Sequence, residues 1–224
     1  MKGFFLCFLL QVFLPSPDTL PGYKRHEKSG ITVADTSLGI LILVNKKHIL
    51  PPGYRPYDLV PLDERYNRSV MNLLRHEAAT AFSLMCRKAE EDSIFLWNIS
   101  AYRSDTVQRQ LYDNAVERRG VYRADRVSAR PGHSEHQTGL TADFNSTHGS
   151  FSRTPQAAWL RQHAHLFGFI ERYPRHKEDI TGYDHEPWHF RYVGVEAATT
   201  IYTNKLTLEE YHGTIQKPTR NPAR

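Results

Sequence analysis

The chain is poor in cysteine: its 224 residues hold two, Cys7 and Cys86. Two cysteines cannot build a disulfide framework, and without a Cys-x-x-Cys pair there is no structural zinc ribbon. Cys7 falls in an N-terminal apolar run, so Cys86 is expected to be a small core residue on a helical stripe. Long apolar runs are missing as well. Residues 3–14, behind Lys2, form the most apolar stretch. It falls short of the roughly 20 residues that span a bilayer and is about the length of a signal-peptide core. No Ala-x-Ala cleavage site accompanies it. Residues 1–15 are therefore read as a signal peptide or short membrane anchor, and the protein is expected to be exported, either secreted or membrane-anchored.

Long runs of charge of one sign are absent too. The net charge is +5, with basic residues dispersed apart from Arg118-Arg119 and the nearby Arg123, Arg126 and Arg130. No nucleic-acid motif accompanies them, so no nucleic-acid partner is expected. A basic protein outside the cell would instead be drawn to anionic wall polymers. No internal repeat is present. Residues 16–37, rich in Pro, Gly, Ser and charge, read as a linker, 38–216 as one domain able to bury a core, and 217–224 as a disordered tail.

Within the domain, strands are expected at Leu38–Val44 and Ile94–Ile99. A long helix is expected over 68–90, where Val70, Met71, Leu74, Ala78, Phe82, Met85 and Ala89 recur at helical spacing. A second helix covers 105–119 with Asp105 as N-cap and Gly120 beyond its end, and an arginine-rich loop fills 121–133. Further helices are expected at 155–167 and 194–204. Leu140–Phe144, Phe169-Ile170 and Trp188–Val193 have strand character. The fold class is α+β: a single domain whose small antiparallel sheet carries the site, with helices packed on it.

Residues 185–189, His-Glu-Pro-Trp-His, match the HExxH pattern of zinc proteases, which needs a helix to bring both imidazoles to one face. Pro187 argues against that helix, at a cost of roughly 3 kcal/mol in a helix interior. The alternating aromatic and β-branched run after it suits a strand. His185 is therefore left out, with Glu186 as a candidate base at a strand entrance and His189 as a candidate ligand on the strand. The segment Ser134-Glu135-His136-Gln137-Thr138-Gly139-Leu140-Thr141-Ala142-Asp143 can complete the set. Gly139 lets the backbone bend, so that His136 and Asp143 can converge with His189 on one metal; Asp184 is the rival carboxylate. Two histidines and an aspartate leave a fourth position open, as catalytic zinc sites do. His133 is set outside the ligands, His148, His163, His165 and His176 are expected to face solvent, and Trp188 and Tyr192 to lie in the core.

These segments, with Leu43-Val44-Asn45-Lys46-Lys47, Leu50-Pro51, Tyr54-Arg55-Pro56 and Tyr102-Arg103-Ser104 with Gln108, resemble the VanY-type D-alanyl-D-alanine carboxypeptidases. These are zinc peptidases related to lysostaphin-like enzymes and the hedgehog domain. The likeness covers about residues 40–205, with Thr141 at a position where a small apolar residue is more usual. It implies one Zn2+ held by His136, Asp143 and His189, with Glu186 as general base. Arg103 would lie over the scissile carbonyl or the substrate carboxylate, with Ser104, Gln108 and Ser134 lining the subsite. The implied reaction is removal of the C-terminal D-alanine from peptidoglycan stem peptides. An L,D-carboxypeptidase, a D-Ala-D-Ala dipeptidase or a wall endopeptidase would use the same site. A non-catalytic zinc-containing binding module is the reading from another class, and a retained Glu186 argues against it.

Overall fold

A computed structural model describes residues 30–215 of the protein. Its elements run β1 (Thr32–Val33), β2 (His48–Ile49), β3 (Leu59–Pro61), β4 (Leu73–Arg75), α1 (His76–Glu91), β5 (Asn98–Ser100), α2 (Asp105–Arg119), α3 (Val121–Val127) and β6 (Thr141–Phe144). They continue with α4 (Pro155–His163), β7 (Phe169–Glu171), α5 (Glu178–Thr181), β8 (His189–Tyr192), α6 (Val195–Asn204) and α7 (Leu208–Ile215). The central sheet has the order β5-β6-β8-β7 and is antiparallel throughout. Two short ladders flank it, β1 with β2 in parallel and β3 with β4 antiparallel.

The period of two along a strand divides this sheet into an apolar face and a polar one. Phe144 and Phe190 turn to the apolar face, where their rings meet edge to face at 5.7 Å. Helix α1 covers it with Ala78, Phe82, Met85, Cys86 and Ala89, all buried. Phe82 stacks on Phe144 at 5.2 Å. Each large apolar side chain so enclosed contributes roughly 1.5–3 kcal/mol, so this face anchors the sheet. The alternate residues, Asp143, His189 and Arg191, are left to the opposite face. A second cluster, Leu43, Ile170, Val193, Ala197, Ala198, Ile201 and Leu208, fastens α6 and α7 to the sheet's far edge.

The α+β architecture with a small antiparallel sheet agrees with the sequence reading; several element boundaries do not. The helix expected over 68–90 begins at His76, because Leu73–Arg75 pairs with Leu59–Pro61 as a strand and Val70 is 96% exposed. Leu38–Val44 is not a strand: a 3-10 turn occupies Thr36–Leu41, and the carbonyls of Ile40 and Ile42 accept from the Arg191 side chain instead of a neighbouring strand. The strand expected over Ile94–Ile99 is confined to Asn98–Ser100. Helix α2 keeps its expected span, but its cap is Ser104, whose hydroxyl accepts from the Val107 amide. The loop expected over 121–133 contains α3, which buries a single residue, Ala124, and so carries no apolar periodicity.

The linker read over 16–37 is described only from residue 30, and there β1 and buried Ala34 belong to the packed body. The apolar leader and the tail from 217 lie outside the described residues. Among the described residues no helix is long and apolar enough to cross a membrane. Cys86 is buried and unbridged, and burial pushes its thiol pKa far up. His148 and His176 are exposed, whereas His163 and His165 are half-buried, stacked on Trp159 and Tyr202.

One polar residue on the apolar side is poorly accommodated. Glu171 of β7 has a buried Oε1 with no hydrogen-bond partner, and burial pushes its pKa from the ordinary 4.5 up to about 7. The unfolded chain therefore releases this proton before the folded one, and stability falls as pH rises through that window. At 1.36 kcal/mol per unit the loss approaches about 3 kcal/mol. Glu171→Gln is expected to raise stability by about 1–3 kcal/mol at pH 8 and to leave it unchanged near pH 4. Urea unfolding at both pH values measures this; an equal effect at the two would rule out the titration of Glu171 as its source.

Candidate metal centre

Three short pieces of backbone bring the site together. The 3-10 turn Glu135–Thr138 carries His136 and ends at Gly139, which is left-handed at φ 67°. A Cβ there would come within 2.7 Å of the Leu59 side chain, so the turn needs glycine. Strand β6 leaves that turn and carries Asp143. Antiparallel pairing with β8 sets Asp143 directly opposite His189. Ser100 of β5 is the partner of Asp143 on the other side, and the chain then passes to Arg103. Glu186 stands in the loop before β8, where the His189 amide donates to its carbonyl at 3.2 Å.

His136, Asp143 and His189 are buried, and their donor atoms all lie within 4.8 Å of one another. His136 Nε2 is 3.3 Å from Asp143 Oδ2, and His189 Nδ1 is 3.3 Å from Asp143 Oδ1. Ligand atoms held about 2.0–2.2 Å from a tetrahedral zinc lie roughly 3.3–3.6 Å apart, which the two separations from Asp143 match. His136 Nδ1 is committed to the Ala101 carbonyl at 2.7 Å, which leaves Nε2 directed inward. His136 Nε2 and Asp143 Oδ1 are buried without a hydrogen-bond partner. Such orphaned groups are costly unless something satisfies them, and a cation would satisfy both.

The field points the same way. Burial, reinforced by the nearby Arg103 charge, lowers the His136 pKa to about 4, so its ring is neutral and able to ligate. Burial opposes a charge on His189, but the carboxylates of Asp143, Glu135 and Glu186 around its ring outweigh it and raise its pKa well above the ordinary value. Three carboxylates around one imidazole favour a positive charge there, and a metal cation can take the place of that proton. Burial raises the pKa of Glu186, whose Oε2 lies 3.3 Å from His189 Nδ1.

The remaining sequence candidates fall around this cluster. Arg103 bonds Ser100 Oγ, Gln108 Oε1 and Asp143 Oδ2 at 3.1, 2.9 and 3.2 Å. A guanidinium has five N–H donors, so two remain for another acceptor. Gln108 also donates to the Ala129 carbonyl at 2.7 Å, so it clamps Arg103. Ser104 caps α2, and Ser134, buried, stands at the head of the His136 turn. Asp184 is tied to Arg123 and Arg126. His185 donates to the Tyr173 carbonyl at 2.9 Å and is outside the cluster. No helix joins it to His189, since α5 ends at Thr181.

The sequence reading passed over a buried charge network behind His189. Glu135 Oε1 accepts from Arg172 Nε and Arg191 Nη1, both at 2.8 Å, and all three side chains are fully buried. Arg172 also forks onto Glu209 of α7. Two arginines and two glutamates balance, and removing one member would cost about 3–5 kcal/mol by stranding a charge. The available signal was Arg191 itself, a charge in an aromatic strand at the same two-residue period as His189.

The VanY family model, described as D-alanyl-D-alanine carboxypeptidase, matches residues 71–195. The chain is 41% identical over 197 residues to YodJ of Bacillus subtilis (strain 168), which bears a carboxypeptidase name; the match covers 84% of this chain and 72% of that one. Among solved structures, the LdcB LD-carboxypeptidase is similar at a TM-score of 0.78 and 40% identity, over 85% of this chain and 93% of that one. A glutamate-to-alanine variant of the vancomycin-resistance D,D-pentapeptidase VanY, in complex with Zn(II), is similar at a TM-score of 0.67 and 34% identity. That match covers 77% of this chain and 98% of the other.

Proposed function

The chain belongs to the VanY family of D-alanyl-D-alanine carboxypeptidases, and from that premise we propose that it removes the C-terminal D-alanine from peptidoglycan stem peptides. The observation that carries this reading is the convergence of His136, Asp143 and His189, with Glu186 3.3 Å from the His189 ring. His136 through Nε2, His189 through Nδ1 and the Asp143 carboxylate would hold the zinc. When bound, zinc supplies a Lewis acid for the peptide carbonyl and lowers the pKa of water from 15.7 toward about 7.

The chain's own residues supply the rest. Glu186 takes the proton of the attacking water and delivers it to the leaving D-alanine amine. The two uncommitted N–H groups of Arg103 face the charge that grows on the carbonyl oxygen or the terminal carboxylate. Gln108 and Ser100 hold that guanidinium in place, so no reorganisation is needed as charge develops. Ser104 and Ser134 border the same subsite. The protein works outside the cytoplasmic membrane, on the cell wall, where its positive net charge favours association with anionic polymers.

A second reading is favoured by one observation, the likeness to the LdcB LD-carboxypeptidase. An L,D enzyme would also release D-alanine, but from a tetrapeptide. Mass spectrometry of zinc-loaded protein with penta- and tetrapeptide stems, each with and without chelator, separates the two. Loss of one alanine from the pentapeptide, abolished by chelator, is the expected result. Loss from the tetrapeptide alone would move the assignment to L,D cleavage, and release of intact D-Ala-D-Ala would move it to dipeptide release. No cleavage of either stem by zinc-loaded protein would leave an endopeptidase or a binding module.

A further inference from the structure

The chemistry above uses His189 as a ligand but gives no role to the charges buried behind it. Glu135 Oε1 is occupied by Arg172 and Arg191. Its other oxygen, Oε2, is buried without a hydrogen-bond partner, and so is His189 Nε2, 3.8 Å away. An unpartnered carboxylate oxygen and an unpartnered imidazole nitrogen thus lie 3.8 Å apart in the same buried space. Arg191 is fixed from behind by the carbonyls of Ile40, Ile42 and Tyr192. Arg172 is fixed by Glu209 on the first turn of α7, in a two-bond fork of 2.9 and 2.6 Å, and Asn45 adds a 3.0 Å bond to Glu209 Oε1.

We infer that α7 is a positioning element for the metal ligand His189, acting through Glu209, Arg172 and Glu135. The inference rests on His136, Asp143 and His189 being the metal ligands. A ligating imidazole must present a lone pair from one nitrogen and keep its hydrogen on the other. A carboxylate facing the far nitrogen selects that tautomer and fixes the ring plane. Glu135 is placed to do this for Nε2, leaving the lone pair on Nδ1, the nitrogen directed at Asp143. Glu135 can hold its own position only while both arginines are held, and one of them depends on α7. Glu209 and Asn45 both lie outside residues 71–195, the span matched by the family model. The ligand geometry in this chain is therefore completed by its flanking segments. Because binding linkage is reciprocal, metal on His189 must in turn secure α7.

The test uses the full chain and zinc alone. Competition with a chromogenic chelator should show Glu209→Gln binding zinc about ten-fold more weakly than wild type, within the range for loss of a group behind a ligand. Glu210→Gln, which removes the Lys177 ion pair of the same helix while a glutamine oxygen can still accept from the Thr207 amide, should bind zinc as wild type does. The visible spectrum of the cobalt(II) form should change in Glu209→Gln and not in Glu210→Gln, which separates ligand geometry from helix stability. On wild-type protein, zinc should slow amide hydrogen exchange in α7, and this holds as a test even if Glu209→Gln fails to fold. Wild-type zinc affinity in Glu209→Gln, or α7 exchange indifferent to zinc, overturns the inference alone. Wild-type protein that binds no zinc overturns the ligand assignment and this inference with it.

Discussion

Glu186→Gln is expected to lower kcat by about 100- to 10,000-fold while zinc stays bound and KM changes little. Glutamine keeps the shape and the hydrogen-bonding reach of the side chain but cannot take a proton, so the substitution isolates that one capacity. Glu186 Oε2 lies 3.3 Å from His189 Nδ1, and burial raises its pKa. A base raised from the ordinary carboxylate range binds a proton more firmly and is better matched to work near neutrality. In the wild type, activity is lost as pH falls through the raised Glu186 pKa, and that limb of the profile should vanish in the variant. Zinc analysis and steady-state kinetics on a stem peptide measure both halves. Unchanged kcat would remove Glu186 from the chemistry. Simultaneous loss of zinc would make it a ligand instead of the base.

Much of this site was legible because it is written in short range. His136 and Asp143 are separated by a glycine that the turn requires, and Pro187 forbids the helix that would have recruited His185. Strand alternation placed His189 opposite the apolar residues of its own strand. What escaped was mostly long range. Leu38–Val44 reads as a strand because it is apolar, yet its carbonyls are satisfied by Arg191, some 150 residues on. No local pattern announces a guanidinium standing in for a strand. Residues 68–75 carry helical spacing, but pairing with Leu59–Pro61 and a bond from the Arg75 amide to the Gly139 carbonyl draw their end into a strand. Helix α7 is a different case, since its start was readable: Thr207 and Glu210 form a reciprocal capping box, with bonds of 2.7 and 3.2 Å, in the Thr-x-x-Glu pattern that marks a helix start. The start of the helix was local information; its hold on Arg172 was not.

Asp143→Asn should reduce zinc affinity by more than about 100-fold, beyond the range for loss of a group behind a ligand, whereas His185→Ala should bind zinc as wild type does. The pair decides between two ligand sets that share His189. In the HExxH arrangement His185 and His189 would both ligate and Asp143 would be a bystander. Here His185 is spent on the Tyr173 carbonyl, while Asp143 lies between both imidazoles at 3.3 Å. Asparagine is the better substitution than alanine because it leaves no cavity and keeps an oxygen toward Arg103, whose Nη2 is 3.2 Å from Asp143 in the wild type. It removes the charge, which is what a divalent cation between two neutral imidazoles needs most, and turns one of the two oxygens into an NH2 group. Removing that charge also strands Arg103, so the metal-free variant should unfold more easily. The loss should fall toward the lower end of about 3–5 kcal/mol because the guanidinium is partly exposed. Measuring metal-free stability separately from zinc affinity keeps the two effects apart. If Asp143→Asn bound zinc normally and His185→Ala did not, the ligand set would pass to the helical pattern despite Pro187, and the β6–β8 register could no longer be the device that builds the site.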